Sequence, residues 1–324
     1  MKKLILALIL ISSINAMGQE EETTKKFDLS GSIDAYYRAN LTAPNDDNQI
    51  APGTSFADTA GFSLGMANVI ASYQGEKVGF VADLVFGPRG EAASSTVLNQ
   101  IYAYYNVSES VTLTMGKFNT FLGYEVIAPA DNFNYSTSYL FSNGPFSHTG
   151  IKADIALSET TSLMLGIMNQ TDVTEFNPNG SYAIGAQLGV SDQYLNLLYD
   201  KAGLGFEIDY TGGFNLSDAF FLGLNTAYAD NDGEGFFGAA VYPQLTTSDT
   251  FSIGLRGEYF KIHSDFSDGE DVITATLTGS YTIDDLIIKP ELRLDSSSED
   301  IFINSDLEPN KSLASFVLAA IYKF

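Results

Sequence analysis

The sequence predicts an all-β fold: a closed transmembrane antiparallel up-and-down β-barrel of about 16 strands. Three observations predict it. Apolar and polar residues alternate with period two through nearly the whole chain. The connections between alternating segments are short and long by turns. The last segment is amphipathic and ends in an aromatic, Phe324.

Successive side chains of a strand point to opposite faces, so alternation marks a segment with one apolar and one polar face. Phe206, Ile208 and Tyr210 interleave with Glu207, Asp209 and Thr211. Ile288, Leu292 and Leu294 interleave with Lys289, Glu291, Arg293 and Asp295. In order, the segments run roughly 29–40, 62–74, 78–86, 97–106, 111–118, 148–157, 162–169 and 181–189, then 193–200, 203–213, 219–229, 236–243, 250–260, 272–282, 286–295 and 313–324. Most have the length that a tilted membrane strand needs, about 9–11 residues. The segments within 181–200 are the weakest, which leaves 14 strands as the alternative count.

After even-numbered segments the connections are short, such as Gly75-Glu76-Lys77 and Ser108-Glu109-Ser110. After odd-numbered segments they are longer and polar: 41–61, 87–96, 119–147, 170–180, 230–235, 261–271 and 296–312. Lys201-Ala202 is the exception. Short periplasmic turns and long external loops are the layout of an outer-membrane barrel, and an even strand count puts both termini in the periplasm. Phe316, Leu318, Tyr322 and Phe324 share a face of the last segment, which suits recognition by the barrel-insertion machinery. Two residues fit poorly. Pro290 sits inside a segment, where it removes a ladder bond unless it marks a bulge. Lys117 falls on an apolar face and is placed at the headgroup level, where it can snorkel.

Composition narrows the function. Charged residues are 17% of the 324-residue chain, below the roughly 25% of soluble proteins, whereas aromatics reach 13%. The net charge of −24 excludes nucleic acid as a partner, because phosphate binding needs a basic face. Lys2 and Lys3, the apolar run Leu4–Ile14 and the small residues of Ala16-Met17-Gly18 form a secretory signal peptide over 1–18, with the barrel domain over 19–324. Cleavage before Gln19 leaves a net charge of −26. With no Cys there is neither a lipid-anchored lipoprotein nor a disulfide. No apolar run is long enough for a helical span.

A barrel of this size encloses a channel rather than a packed core. Alternation points Asp34, Arg38, Asp83, Lys152, Asp154, Glu207, Asp209, Arg256, Glu258, Lys289, Glu291, Arg293 and Asp295 inward as candidate pore-lining residues. Two readings of them stay open: a wet lumen of mixed charges, or a ladder such as Arg256/Lys289/Arg293 facing acids across a constriction. Loop 119–147, the third external loop, is the longest and is rich in aromatics that an outer rim would expose. Folded inward it narrows the pore, with Glu125 and Asp131 as candidate constriction acids; the alternative is an external flap. The runs Asp230-Asn231-Asp232-Gly233-Glu234 and Asp265 to Asp271 resemble calcium turns without the full loop pattern, so they read as weak divalent-cation sites or as solvated acidic tips beside lipopolysaccharide.

Gly61-Phe62-Ser63-Leu64-Gly65 matches a nucleophile-elbow pattern, but it lies in an alternating segment rather than a strand-to-helix turn. The two histidines, His148 and His263, fall in separate loops and form no metal constellation. No enzyme activity, cofactor or metal is expected.

The mature chain resembles the OmpL-like β-barrel porin family. The residues that carry the resemblance are Gly123-Tyr124-Glu125, Asn132-Phe133-Asn134-Tyr135-Ser136, Gly144-Pro145 and His148-Thr149-Gly150. The resemblance implies a channel for small solutes and carries over no substrate-binding residue. The function expected is passive diffusion of small hydrophilic solutes or ions, with mild cation preference and outer-membrane lipid and lipopolysaccharide as surroundings. Porins of this size are often homotrimers. The competing readings are a plugged barrel that serves adhesion, structure or ligand binding, and a barrel enzyme. A gated active transporter is disfavoured, since no plug domain precedes the first segment.

Overall fold

A computed structural model of the chain describes residues 26–46, 56–94, 96–175, 177, 180–266 and 269–324. The signal peptide expected over 1–18 lies outside the described residues, as do parts of the first long loop and of the 265–271 acidic run.

The alternating segments form the strands β1 (Lys26–Asn40), β2 (Gly61–Gln74), β3 (Val78–Phe86), β4 (Leu98–Ser108), β5 (Val111–Asn119) and β6 (Ser147–Ala156). They continue as β7 (Thr161–Met168), β8 (Ala183–Val190), β9 (Gln193–Asp200), β10 (Gly205–Asn215), β11 (Phe220–Asn231) and β12 (Glu234–Ser248). Then follow β13 (Phe251–Ser264), β14 (Asp271–Ile283), β15 (Leu286–Ser297) and the last strand, β18 (Ser312–Lys323). Two-residue strands β16 (Phe302–Ile303) and β17 (Pro309–Asn310) pair within the last long connection, and short helices α1 (Pro88–Ser94) and α2 (Tyr139–Asn143) interrupt two others.

Each long strand pairs antiparallel with its sequence neighbour, and β18 closes the sheet by pairing with both β15 and β1. The count is therefore sixteen, not fourteen: the weak stretch 181–200 is the hairpin β8–β9, paired from Ile184↔Tyr199 to Val190↔Gln193. At the closing seam, Gly31 and Phe324 exchange both backbone hydrogen bonds at 3.0 Å.

The burial pattern is inverted relative to a soluble protein. On β15, Leu292 and Leu294 are 48% and 50% exposed, while Arg293 and Asp295 are 2% and 0% exposed. Apolar side chains facing outward along the strands suit lipid, where a closed ladder pairs the backbone groups strand to strand.

The short connections gather at one mouth, the turn side, and are two to four residues long. The long ones gather at the other, with two exceptions. The link 201–204 is short, as its sequence indicates. The acidic run 230–235 is not a loop: β11 and β12 meet at a two-residue turn, Asp232-Gly233, with φ of 55° and 88°. Asp-Gly tolerates the left-handed conformation that a tight hairpin needs, which accounts for Asp232 and Gly233 at the turn.

Two further expectations, for β12 and for Lys117, are corrected, and the one for Pro290 holds. Strand β12 continues through Pro243 to Ser248 instead of stopping at 243; its pairing with β13 lapses between Val241↔Gly257 and Gln244↔Gly254 and shifts register between Thr246 and Ser248. Pro290 behaves alike: the β14–β15 ladder lapses between Thr278↔Glu291 and Tyr281↔Ile288 without a register shift, so no bulge forms. A prolyl nitrogen costs its ladder bond, and pairing on either side carries the strand across. Lys117 is only 2% exposed; its Nζ donates to the carbonyls of Leu98 (2.8 Å) and Ser94 (3.3 Å), so it fastens α1 and the start of β4 to β5 rather than snorkelling to a headgroup.

Candidate functional site

The connection between β5 and β6 runs through the interior of the barrel. It begins at Gly123, whose left-handed φ of 83° turns the chain and aims its N–H at Asp209 Oδ1 on β10, 3.1 Å away. Tyr124 then stacks on Tyr242 of β12, with ring centroids 4.3 Å apart. Glu125 accepts from Arg256 Nη1 of β13 at 2.7 Å, with both side chains buried. Asn132 closes a small loop by bonding both the N–H and the carbonyl of Val126. The tip reaches nearly to the turn-side mouth: Lys289, near the start of β15, donates to the carbonyls of Pro129 (3.1 Å) and Asn132.

The chain then climbs back along the wall. Glu291 accepts from the backbone N–H groups of Tyr135 (2.8 Å) and Ser136 (3.2 Å) and from the Ser136 hydroxyl. Tyr135 donates its hydroxyl to Asp34 Oδ2 of β1 at 2.5 Å. Burial pushes the Tyr135 phenol far above its ordinary range, and that of Tyr124 up to about 12, so both remain protonated donors. Asp34 also holds the Met66 N–H, 2.9 Å away, in a bulge of β2. Arg256 donates to the carbonyls of Ser136 (2.5 Å) and Thr137 (3.1 Å), and Arg293 to that of Thr137 (2.8 Å). Ser138 caps α2, and Glu258 receives the N–H groups of Tyr139 (3.1 Å) and Leu140 (2.8 Å).

The interior charges therefore have a shared physical task. A backbone that leaves the sheet inside a low-dielectric interior carries N–H and C=O groups that must be paired. Carboxylates on the wall receive the N–H groups, and guanidinium and ammonium groups supply the carbonyls. Apolar packing joins in: Leu122, Tyr135, the pair Tyr139 and Leu140, and the pair Ile127 and Phe141 enter four separate buried clusters with wall residues.

Of the thirteen inward candidates, eleven are buried at 7% exposure or less. Asp34, Asp209, Arg256, Glu258, Lys289, Glu291 and Arg293 touch the inserted loop directly. Asp295 holds Arg293 at 2.8 Å. Arg38 donates to the carbonyl of Ala57 in the first long loop, and Asp83 receives Asn99 at 2.6 Å. Among the described residues, Glu207 has no hydrogen-bond partner at its buried Oε2. Lys152 and Asp154 are the two left partly exposed, paired at 2.7 Å. Of the two loop acids, Glu125 is consumed by Arg256 and Ser138, whereas the Asp131 side chain is 63% exposed beside Lys323 (3.4 Å).

Sequence reasoning missed Arg89 of α1, which is 2% exposed and donates to the carbonyls of Ile127 (2.7 Å) and Tyr135 (3.0 Å). Its one signal was scarcity: only 16 Lys and Arg occur in the chain, so a basic residue in a long loop carries weight. The histidines lie on strands, not in loops. His148 is fully buried in β6 with Nε2 2.9 Å from Thr120 Oγ1, and His263 stacks on Tyr228 in β13. Among the described residues no group of three or more His, Cys, Asp or Glu is arranged to hold a metal ion. The elbow-like 61–65 stretch lies in β2.

Below and beside the loop, two cavities face the turn side. One, about 460 Å³, lies between the tip of the loop and β12, β14 and β15, and includes Asp131, Phe133, Gln244 and Lys289. The other, about 520 Å³, lies between β4, β5, β6 and β8 under the root of the loop.

A closed sixteen-stranded barrel with an apolar exterior and a loop held inside its lumen defines an outer-membrane channel. Residues 26–324 match the family described as "Putative beta-barrel porin-2, OmpL-like", and the chain belongs to that family of porins. Among solved structures, the outer-membrane channel DcaP of Acinetobacter baumannii is similar at 16% identity and a TM-score of 0.64, over 95% of this chain and 99% of that one. OmpF of Salmonella typhi, in complex with daunomycin, is similar at 12% identity and 0.60, over 93% and 98%. OmpT of Vibrio cholerae is similar at 12% and 0.57, over 95% and 100%. At such identities the likeness is one of fold. No curated protein matches the chain.

Proposed function

We propose that this porin is a passive diffusion channel whose constriction is the inserted loop, and that it carries small hydrophilic solutes and ions without catalysis or energy coupling. The observation that carries the proposal is the set of wall-to-loop bonds from Asp34, Asp209, Arg256, Glu258, Lys289, Glu291 and Arg293. A loop fastened at so many buried points narrows the lumen permanently instead of swinging as an external flap. Asp131 is then the acid that meets permeating ions, and with the acidic chain as a whole it favours cations.

The chain is exported by the 1–18 signal peptide and inserted by the barrel-assembly machinery into the outer membrane, where protomers associate as a homotrimer. A trimer form among the structural neighbours supports the last point. Single-channel recording of the mature protein in a planar bilayer under a salt gradient tests the proposal. Discrete, stable steps with a cation-selective reversal potential are expected. Silence from protein shown to be folded and inserted would favour the plugged barrel, whose interior serves only to support a binding surface.

A further inference from the structure

The two turn-side cavities differ in charge. The one beneath the loop tip carries Asp131 and Lys289, whereas the one beneath the loop root is lined almost wholly by neutral polar groups. Its two charged residues cancel locally: Lys152 Nζ lies 2.9 and 2.7 Å from the two oxygens of Asp154. The same ammonium sits 5.6 Å from the centroid of the Phe118 ring, so its remaining field is partly taken up by an aromatic face.

Around this neutral pair stand amides and hydroxyls at several heights. Asn106 lies near the mouth, Gln100 and Gln187 deeper, and Asn119 at the roof. Among the described residues, the buried Asn119 Oδ1 has no hydrogen-bond partner. Tyr102 and Tyr104 also line the space, Tyr104 lying across Gly79 of β3, and among the described residues no protein group hydrogen-bonds their hydroxyls. Amides and hydroxyls both donate and accept, so the lining matches a ligand that does the same. Phe121 and the two tyrosine rings add flat apolar faces.

A neutral sugar has this combination: alternating hydroxyl edges, which donate and accept, and C–H faces that stack on aromatic rings. A small inorganic ion would find no unpaired countercharge here, and the amides of Gln100, Asn106 and Gln187, held in place by bonds to the wall and the loop root, present a polar surface that an apolar solute would desolvate without compensation. A few directed polar groups beside aromatic faces are also how ligand cavities achieve orientation. We propose that the cavity between β4, β5, β6 and β8 is a binding subsite for a neutral monosaccharide-sized sugar, and that it biases the channel toward that class of solute. The inference rests on the passive-channel reading.

Glucose, gluconate and glucosamine, which are similar in size but neutral, anionic and cationic, test it on the mature protein in a planar bilayer. Glucose added on the turn side is expected to reduce the ion current in a saturable manner, and more strongly than either charged analogue. Tyr104→Phe, which removes one hydroxyl, should weaken the glucose block about two- to tenfold. Asp154→Asn frees the Lys152 charge and should shift the preference from glucose to gluconate, a gain that a misfolded variant could not show. Ion current that glucose blocks no better than gluconate, or an Asp154→Asn channel with unchanged preference, overturns the inference and leaves the channel reading intact. Absence of any ion current from inserted protein overturns the channel reading, and the subsite with it.

Discussion

Arg256 gathers acceptors from stretches of chain that meet only in space: Glu125, the adjacent Ser136 and Thr137, and Thr276 of β14. Its side chain is fully buried and that of its acid nearly so, so the pair is shielded from bulk solvent. Replacing buried charge pairs as a unit is often neutral, whereas removing one partner strands the other. Arg256→Met is therefore expected to destabilise the barrel by about 3–5 kcal/mol, read from denaturant unfolding or from loss of heat-modifiable gel mobility. The double variant Arg256→Met/Glu125→Gln should recover most of that loss. If the double variant is as unstable as the single one, the carbonyl bonds to Ser136 and Thr137, rather than the ion pair, hold the site. The same logic explains three residues of the stretches that carry the resemblance: Gly123, Glu125 and Asn132 each fix the loop's path, by turning it, tethering it to the wall, and pinning it to Val126. They are fasteners before they are contacts for any solute.

At the scale of elements, the loop between β5 and β6 is the element on which the interior depends. Four of the buried clusters contain one of its residues, so the lumen is packed around it rather than merely crossed by it. Deleting residues 126–137 removes the tip and the ascending arm while keeping Gly123 and Glu125. A sixteen-stranded wall without its filler encloses a wide aqueous channel, so conductance should rise by about twofold or more, with noisier steps. Unchanged conductance would mean that ions pass by a route the loop does not border. The helix α1 contributes a second clamp through Arg89, from a loop two strands away. The acidic hairpin β11–β12 shows the opposite economy: where the loop is only Asp232-Gly233, nothing projects over the mouth.

At the scale of the molecule, the chain is acidic throughout, yet most interior acids are engaged with the loop or its supports. Net charge and pore charge are thus different quantities. Asp131 is the loop acid that faces open space, and its position near the turn-side mouth puts it beside permeating ions. Asp131→Asn should move the reversal potential under a salt gradient toward zero with little effect on stability, because an exposed pair such as Asp131–Lys323 contributes at most about 1 kcal/mol. If selectivity is unmoved, the long-loop side sets it instead.

What the amino-acid sequence determined by itself is the barrel: period-two alternation, turn length and strand count are local properties, legible because lipid requires every strand to show one apolar face. The same alternation assigned Arg256, Glu258, Lys289, Glu291 and Arg293 to the interior. Their partners were not legible. Glu125 and Arg256 are separated by 131 positions, and no local pattern states which loop will fall across which wall. Lys117 and Arg89 illustrate the limit: each satisfies backbone carbonyls from other elements, so each is explicable only after those elements are in place. Only the tertiary structure decided that the loop descends through the lumen, that wall charges are spent on its backbone, and that neutral groups line the space left beneath its root. The physical reason is that an inserted backbone must be paired group by group, and that pairing is settled by distance in space rather than along the chain.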